Sequence, residues 1–212
     1  MNSATFKQDY HALFDTVGKV KNYRKAFPLL VVAAKNGHPH AQNLVGYCYD
    51  LGLGPRRNAR TAVHWYKKSA KNGYAEAIYN LAVCYAHGRG AVQNERKAFN
   101  LNQRAASMGH VWASCNLGTM YSEGAGTRTN PLLAVRWWRK AAQKGDAKAQ
   151  YNLGSSYVDG CGVRTNKHLG AIWLKKAASL GHRKAARELR ALTSVRASRL
   201  RLTSRISPVI PS

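Results

Sequence analysis

Apolar and small residues recur along this chain in a fixed 36-residue register. Four segments align without gaps, beginning at Ala41, Ala77, Ala113 and Ala149. In each, a large apolar residue follows four positions on (Val45, Leu81, Leu117, Leu153), with a small residue next to it (Gly46, Ala82, Gly118, Gly154). A tyrosine follows (Tyr49, Tyr85, Tyr121, Tyr157). Positions i, i+4 and i+8 share one stripe of a helix, so each segment predicts a first helix. A glycine pair comes next: Gly52 and Gly54, Gly88 and Gly90, Gly124 and Gly126, Gly160 and Gly162. Glycine takes left-handed backbone angles cheaply, so the pair marks the helix end and the loop. An asparagine (Asn58, Asn94, Asn130, Asn166) then predicts the cap of a second helix, its side chain accepting from free amides of the first turn. Pro131 suits a first helical position. The second helix carries a small residue (Ala62, Ala98, Ala134, Gly170), a bulky one (Trp65, Leu101, Trp137, Trp173) and an alanine (Ala70, Ala106, Ala142, Ala178) on one face. It closes at Gly73, Gly109, Gly145 or Gly181.

No such unit buries its stripe alone; stacking on neighbours supplies the core. The register extends backwards through Asn22, Ala26, Leu29 and Gly37, and forwards to Ala185 and Leu189. The expected organisation is a degenerate N-terminal capping repeat (1–40), four repeats (41–76, 77–112, 113–148, 149–184), a C-terminal cap helix (185–192) and a basic, flexible tail (193–212).

The pattern A-x-x-x-L-G-x-x-Y-x-x-G-x-G, followed by A-x-x-W-x-x-x-A-A-x-x-G, runs from about Asn22 to Leu192 and resembles the Sel1-like repeat family, a relative of the tetratricopeptide repeat. The resemblance implies an all-α fold, a right-handed α-solenoid of stacked helix-turn-helix repeats. It also implies a protein-binding adaptor role, often bacterial, in signalling, host interaction or toxin immunity. Two departures stand out. The family usually has an acid where this chain has Asn58, Asn94, Asn130 and Asn166; capping survives the change, but four negative charges are lost. Some secreted members carry a disulfide clamp inside each repeat. Here Cys48 and Cys84 occupy equivalent positions of successive units. Packed helices lie about 8–10 Å apart, whereas a disulfide needs Cα atoms within about 7 Å. The four cysteines therefore read as reduced thiols.

Composition adds a strong electrostatic bias. Thirty-four Lys and Arg stand against nine Asp and Glu, a net charge of +25 over 212 residues, which favours acidic partners. Met1–Tyr10 is polar with no basic-then-apolar leader pattern. The longest apolar run, Ala26–Ala34, is interrupted by Pro28 and too short to span a membrane. The expectation is a cytoplasmic protein without a transmembrane segment. His38, His110 and His182 follow closing glycines and read as surface turn residues. The histidines and cysteines show no metal-ligand spacing, and the serines no nucleophile motif. The sequence gives no reason to expect an enzyme, a metal or a cofactor.

In a stack of this kind the first helices line the concave surface. With core positions taken as 1, 5, 6 and 9, the groove is assigned to positions near 3, 7, 10 and 11 plus the residue before the helix. That selects His40, Asn43, Tyr47 and Asp50; Glu76, Tyr79, Val83 and His87; Trp112, Cys115, Thr119 and Glu123; and Lys148, Tyr151, Ser155 and Asp159. Four of the nine acids fall in this set and only one Lys or Arg, alongside four large aromatics. The groove is expected to take a protein or peptide segment, a basic one being an option. The alternative is nucleic-acid or polyanion binding through the basic convex face and tail, using Arg56, Arg57, Arg60, Arg136, Arg139, Lys140, Arg199 and Arg201.

Overall fold

The computed structural model describes Val20 and residues 22–203, with side chains described as far as Thr193. Ten helices and no β-strand occur among the described residues: α1 (Tyr23–Lys35), α2 (Pro39–Leu51), α3 (Ala59–Lys71), α4 (Ala75–His87), α5 (Glu95–Ser107), α6 (Val111–Glu123), α7 (Pro131–Gln143), α8 (Ala147–Asp159), α9 (Lys167–Ser179) and α10 (Arg183–Thr203). The fold is all-α, a solenoid of stacked helix-turn-helix repeats. The even-numbered helices are first helices and the odd-numbered ones second helices. The chain divides into two compact units. One runs through Ala113 and includes Ala125–Thr127; the other comprises Ser114–Gly124 and the residues from Arg128 onward.

The asparagine ladder caps every second helix. Asn22, Asn58, Asn94, Asn130 and Asn166 each accept through Oδ1 from the backbone N–H three residues on, at 2.8–3.1 Å. The loop before each of the last four of these helices is also closed by main chain: Asn58 N–H donates to the Tyr49 carbonyl, and Asn94, Asn130 and Asn166 do the same to Tyr85, Tyr121 and Tyr157.

The two glycines of each pair have different duties. The first ends its helix in the left-handed region, with φ of 74° at Gly52 and 67° at Gly88. The second permits contact between main chains. A Cβ on Gly90 would overlap the carbonyl oxygen of Ala59, the first residue of α3 in the preceding repeat. Gly126 meets Glu95 and Gly162 meets Pro131 in the same way. A loop that rests on the backbone of its neighbour leaves no room for a side chain.

Within each repeat the deepest second-helix residue lies one position beyond the bulky residue assigned from the sequence. Tyr66 and Leu174 are fully buried and Trp138 nearly so, while Trp65, Trp137 and Trp173 are only partly buried. The buried rings press on the small first-helix residue: a Cβ on Gly46 would come within 2.7 Å of Tyr66, and one on Gly118 within 2.5 Å of Trp138. The cores are rich in alanine, as close helix approach requires. In the first unit Ala26, Leu30, Ala33, Ala41, Val45 and Cys48 pack together; in the second, Leu174, Ala177 and Ala185 form the last core cluster.

Two glycine variants separate conformational strain from collision. Gly73 has φ 76° and open space around its absent Cβ, so Gly73→Ala should cost only the left-handed penalty, about 1–2 kcal/mol. Gly90, at φ 70° against the Ala59 carbonyl, carries both costs, and Gly90→Ala should lose about 3 kcal/mol or more. Urea unfolding followed by helical circular dichroism should show the larger midpoint drop for Gly90→Ala. Equal drops would contradict the backbone-contact account.

Candidate partner-binding surface

The solvent-facing stripe of the first helices departs from the sequence assignment at one place, where position 4 stands in for position 3. On α4 the outward residues are Glu76, Asn80, Val83 and His87; on α6 Trp112, Asn116, Thr119 and Glu123; on α8 Lys148, Asn152, Ser155 and Asp159. These follow i, i+4, i+7, i+11, one face of a helix. The position-3 residues instead lean into the join with the next first helix. Asn43 is 5% exposed and its Oδ1 accepts from Asn80 Nδ2 at 3.0 Å. Cys115 is buried, and Tyr79 and Tyr151 are half-buried.

Asp50 is likewise not on the surface. It is 6% exposed and lies 3.6 Å from Arg89 Nη1, an arginine of the next repeat's glycine loop. In that helix the outward position falls on Leu51, 47% exposed. Asp50 thus holds two repeats together inside the first unit, with Arg57 Nε donating to its carbonyl at 2.8 Å.

In the first unit the outward stripe carries an aromatic cluster. Tyr79 stacks on the His110 ring at 4.6 Å with 22° between planes, and Trp112 lies 6.0 Å from Tyr79 and 5.9 Å from His110. His110 Nδ1 accepts from the Ala113 N–H at 3.1 Å, so in the neutral ring the hydrogen sits on Nε2, facing Glu76 Oε2 at 2.8 Å. Trp112 remains 55% exposed above this base. Nearby on the same unit, His40 pairs with Tyr74 at 5.6 Å and Tyr47 with Tyr23 at 5.7 Å. Burial pushes the His40 pKa below the ordinary imidazole value.

The second unit repeats part of this arrangement. Tyr151 stacks on His182 at 4.5 Å, and His182 Nδ1 accepts from the Ala185 N–H at 3.2 Å. Beside it, Ser155 Oγ lies 3.0 and 2.9 Å from the two carboxylate oxygens of Glu188. Glu123 and Asp159 are exposed. His110 and His182 are therefore helix caps that join repeats, a role the turn-residue reading of the sequence did not include. The signal for it was the tyrosine at position 3 in alternate repeats. The asparagine row Asn80, Asn116 and Asn152 was also missed, although its 36-residue spacing is as regular as that of the capping asparagines.

The basic residues lie on loops and second helices. Arg56, Arg57, Arg60, Arg136, Arg139 and Lys140 are all exposed. Arg139 Nη2 donates to the Tyr157 hydroxyl at 2.8 Å. Lys68, Lys140 and Lys176 sit over the rings of Trp65, Trp137 and Trp173 at 4.8, 4.2 and 4.5 Å. The side chains of Arg199 and Arg201 fall outside the described residues. A cleft of about 430 Å³ is lined by Tyr157, Arg164, Thr165 and Asn166 and contains no carboxylate, histidine or thiol. No three His, Cys, Asp or Glu among the described residues converge as a metal site, and no described helix is long and apolar enough to cross a membrane.

Comparison with known proteins identifies the same repeat. The Sel1 repeat family model matches residues 13–38, 39–74, 75–110, 113–146 and 147–182. A Sel1 repeat protein from Oxalobacter formigenes is 34% identical, with a TM-score of 0.75, over 82% of this chain and 50% of that one. A protective antigen of uropathogenic Escherichia coli strains, displaying an SLR fold, is 27% identical with a TM-score of 0.78, over 88% of this chain and 40% of its own. The chain thus spans half or less of the length of these two relatives. An immunity protein from Pseudomonas aeruginosa shares the fold at 23% identity and a TM-score of 0.53, over 86% and 67% of the two chains.

The four cysteines are free; Cys48, Cys84 and Cys115 are buried and Cys161 is exposed. Burial pushes the Cys48 and Cys84 thiols up to about 11, and burial with the neighbouring Asp146 carboxylate pushes Cys115 up to about 12. Folded values above the ordinary 9.0 mean that this contribution to stability is complete below pH 9 and is lost as pH rises through 11–12. At pH 8 a thiol reagent should therefore label Cys161 quickly and the other three only on unfolding, and the urea midpoint should fall between pH 9 and 11. Rapid labelling of Cys48 or Cys84 in the folded chain would contradict the packing.

Proposed function

Because the chain belongs to the Sel1 repeat family, we propose that it is a non-catalytic scaffold that captures a protein or peptide partner on the outward stripe of its first helices. The observation that carries this reading is Trp112. A large aromatic held half in solvent on a base of Tyr79, His110 and Glu76 has a fixed orientation and unburied apolar area. Such anchors contribute strongly when a partner covers them, because little side-chain freedom remains to be lost. His40, Tyr47 and His87 extend the stripe in the first unit; Glu123 and Asp159 belong to the corresponding stripe in the second, with Tyr151 half-buried at its edge against His182. Asn43 and Asp50 support it from beneath. Adaptor and immunity-type roles both depend on partner capture, and the surface suits either; the likeness to the Pseudomonas immunity protein supports the fold alone. The four free thiols favour a reducing compartment, in keeping with a cytoplasmic home.

A second reading, polyanion binding, draws support from the exposed basic residues of the loops and second helices. The lysines over Trp65, Trp137 and Trp173 already cover a face of each ring, which leaves the contact to phosphate charge rather than base stacking.

Two measurements test these readings. With the protein as bait, Trp112→Ala should reduce partner recovery at least about tenfold, the loss expected of a central aromatic anchor, while the helical circular-dichroism signal is unchanged. Equal recovery would count against the first-helix surface. In a gel shift, any RNA or DNA complex should weaken steeply with salt and disappear by about 150 mM, near physiological ionic strength. A complex persisting there would move the principal binding face to the second helices.

A further inference from the structure

On the second helices of the second unit, charge of one sign is interrupted by bare hydrocarbon. The outward stripe of α7 carries Leu132, Arg136 and Arg139, spaced i, i+4, i+7, and that of α9 carries Ile172 and Lys175. The two stripes are in register. Arg136 and Ile172 occupy equivalent positions, as do Arg139 and Lys175, and Gly162, in the loop that leads into α9, rests on the Pro131 carbonyl that opens α7. Neither helix contains an acid. The unit's four acids, Glu123, Asp146, Asp159 and Glu188, all belong to first helices or to the turn before one. Leu132 is 66% exposed, Ile172 40%, and Leu180, at the end of α9, 57%. Trp137 and Trp173 are half-buried beside the stripes, and Lys140 and Lys176 place their ammoniums over the rings, 4.2 and 4.5 Å from the centroids. An isolated exposed leucine is ordinary. Aliphatic side chains set among cations on two adjoining helices, with no acid to answer those cations, form a patterned face.

We propose that this face lies on the surface of an anionic lipid bilayer. Leu132 and Ile172 enter the boundary between headgroups and acyl chains, and Arg136, Arg139 and Lys175 meet the lipid phosphates and carboxylates. This assignment rests on the polyanion reading of the second helices and names the polyanion; capture of a protein by the first helices is separate from it. Cations spread along two helices call for an extended anionic surface. A nucleic acid offers phosphates to the arginines but nothing to the aliphatic side chains, and the lysines over Trp137 and Trp173 cover ring faces on which bases would stack. An acidic protein interface gathers apolar residues at its centre and keeps charge to the rim, whereas here the two alternate along each stripe. A bilayer interface takes both together. Aliphatic side chains go down about 5–10 Å, tryptophan is favoured at headgroup level, and long cationic side chains reach back to the phosphates. Each Lys or Arg near such a surface strengthens binding about fivefold. Salt screens that contribution and leaves the aliphatic one in place.

The test is co-sedimentation of the full chain with vesicles of phosphatidylcholine alone, and of phosphatidylcholine and phosphatidylserine mixed two to one, at about 50 and about 150 mM salt. The mixed vesicles should bind it at both salt levels and the neutral ones at neither. Leu132→Ser with Ile172→Ser should keep binding at the lower salt and weaken it at least about tenfold at the higher. Arg136→Gln, Arg139→Gln and Lys175→Gln together should weaken it about a hundredfold. Lys148→Gln, Arg183→Gln and Lys184→Gln, the same loss of charge on exposed first-helix positions of the same unit, should matter far less. Circular dichroism checks that each variant is folded. Wild-type protein that ignores the mixed vesicles, or aliphatic variants that bind like wild type at the higher salt, would overturn the proposal. So would first-helix cations that count as much as those of α7 and α9, since net charge alone would then explain the attraction. RNA and poly-glutamate separate this failure from that of the reading beneath it. Either one bound while mixed vesicles are ignored keeps a polyanion face and rejects the bilayer; no binding to vesicles, RNA or poly-glutamate at either salt level rejects both.

Discussion

Each repeat is seated by a contact between main chains: a loop glycine lies on the carbonyl that opens the second helix of the repeat before it. Gly90 rests on Ala59, Gly126 on Glu95 and Gly162 on Pro131, each too close for any Cβ. Backbone contacts of this kind do not adjust as side chains do, so within each unit they set the seating of loop on helix within narrow limits. The rows of the first helices follow from that seating. Residues about one repeat apart come within reach of each other, 37 residues apart for Asn80 and Asn43 and 33 for Glu188 and Ser155. At the first junction the contact is softer. Gly54, at φ 111°, faces the Phe27 side chain and the Arg24 Cα, which suits an N-terminal repeat whose sequence has drifted from the pattern.

The same seating separates the charges. Arginines and lysines gather on loops and second helices, where lysine ammoniums rest on tryptophan faces, and the first-helix stripe keeps amides, aromatics and a few acids. An acid at the join between repeats is drawn inward when a loop arginine stands opposite, as Asp50 is by Arg89. Tyr66, fully buried beside that pair, has its hydroxyl pKa driven well upward, first by burial and then by the Asp50 charge. The polar chemistry of the joins is structural, and the chemistry available to a partner lies one residue further round the helix.

That one-residue offset marks where sequence reading stopped. The helices, their asparagine caps and the terminating glycines were legible because one residue type recurs at each position. The buried second-helix position was not, because it holds Tyr66, Asn102, Trp138 and Leu174, four residue types with nothing in common but their place. On the first helices, taking positions 1, 5, 6 and 9 as the core put positions 3 and 10 in the groove, so Asn43 and Asp50 were placed there and Asn116 and Asn152, at position 4, were passed over. Trp112, Glu76, Glu123 and Asp159 lie on the outward stripe because positions 0 and 11 fall on that face under either assignment. The dual role of the glycine pair also needed coordinates, since termination and backbone contact both select glycine.

The central claim is that the first-helix stripe, and not the basic second-helix face, meets the partner. Hydroxyl-radical footprinting of the tryptophans reads both faces at once. In the free protein Trp112 should oxidise readily and Trp138, at 7% exposure, hardly at all. With the captured partner bound, the account predicts protection of Trp112 and unchanged rates at Trp65, Trp137 and Trp173. Protection of those three with Trp112 left reactive would contradict it.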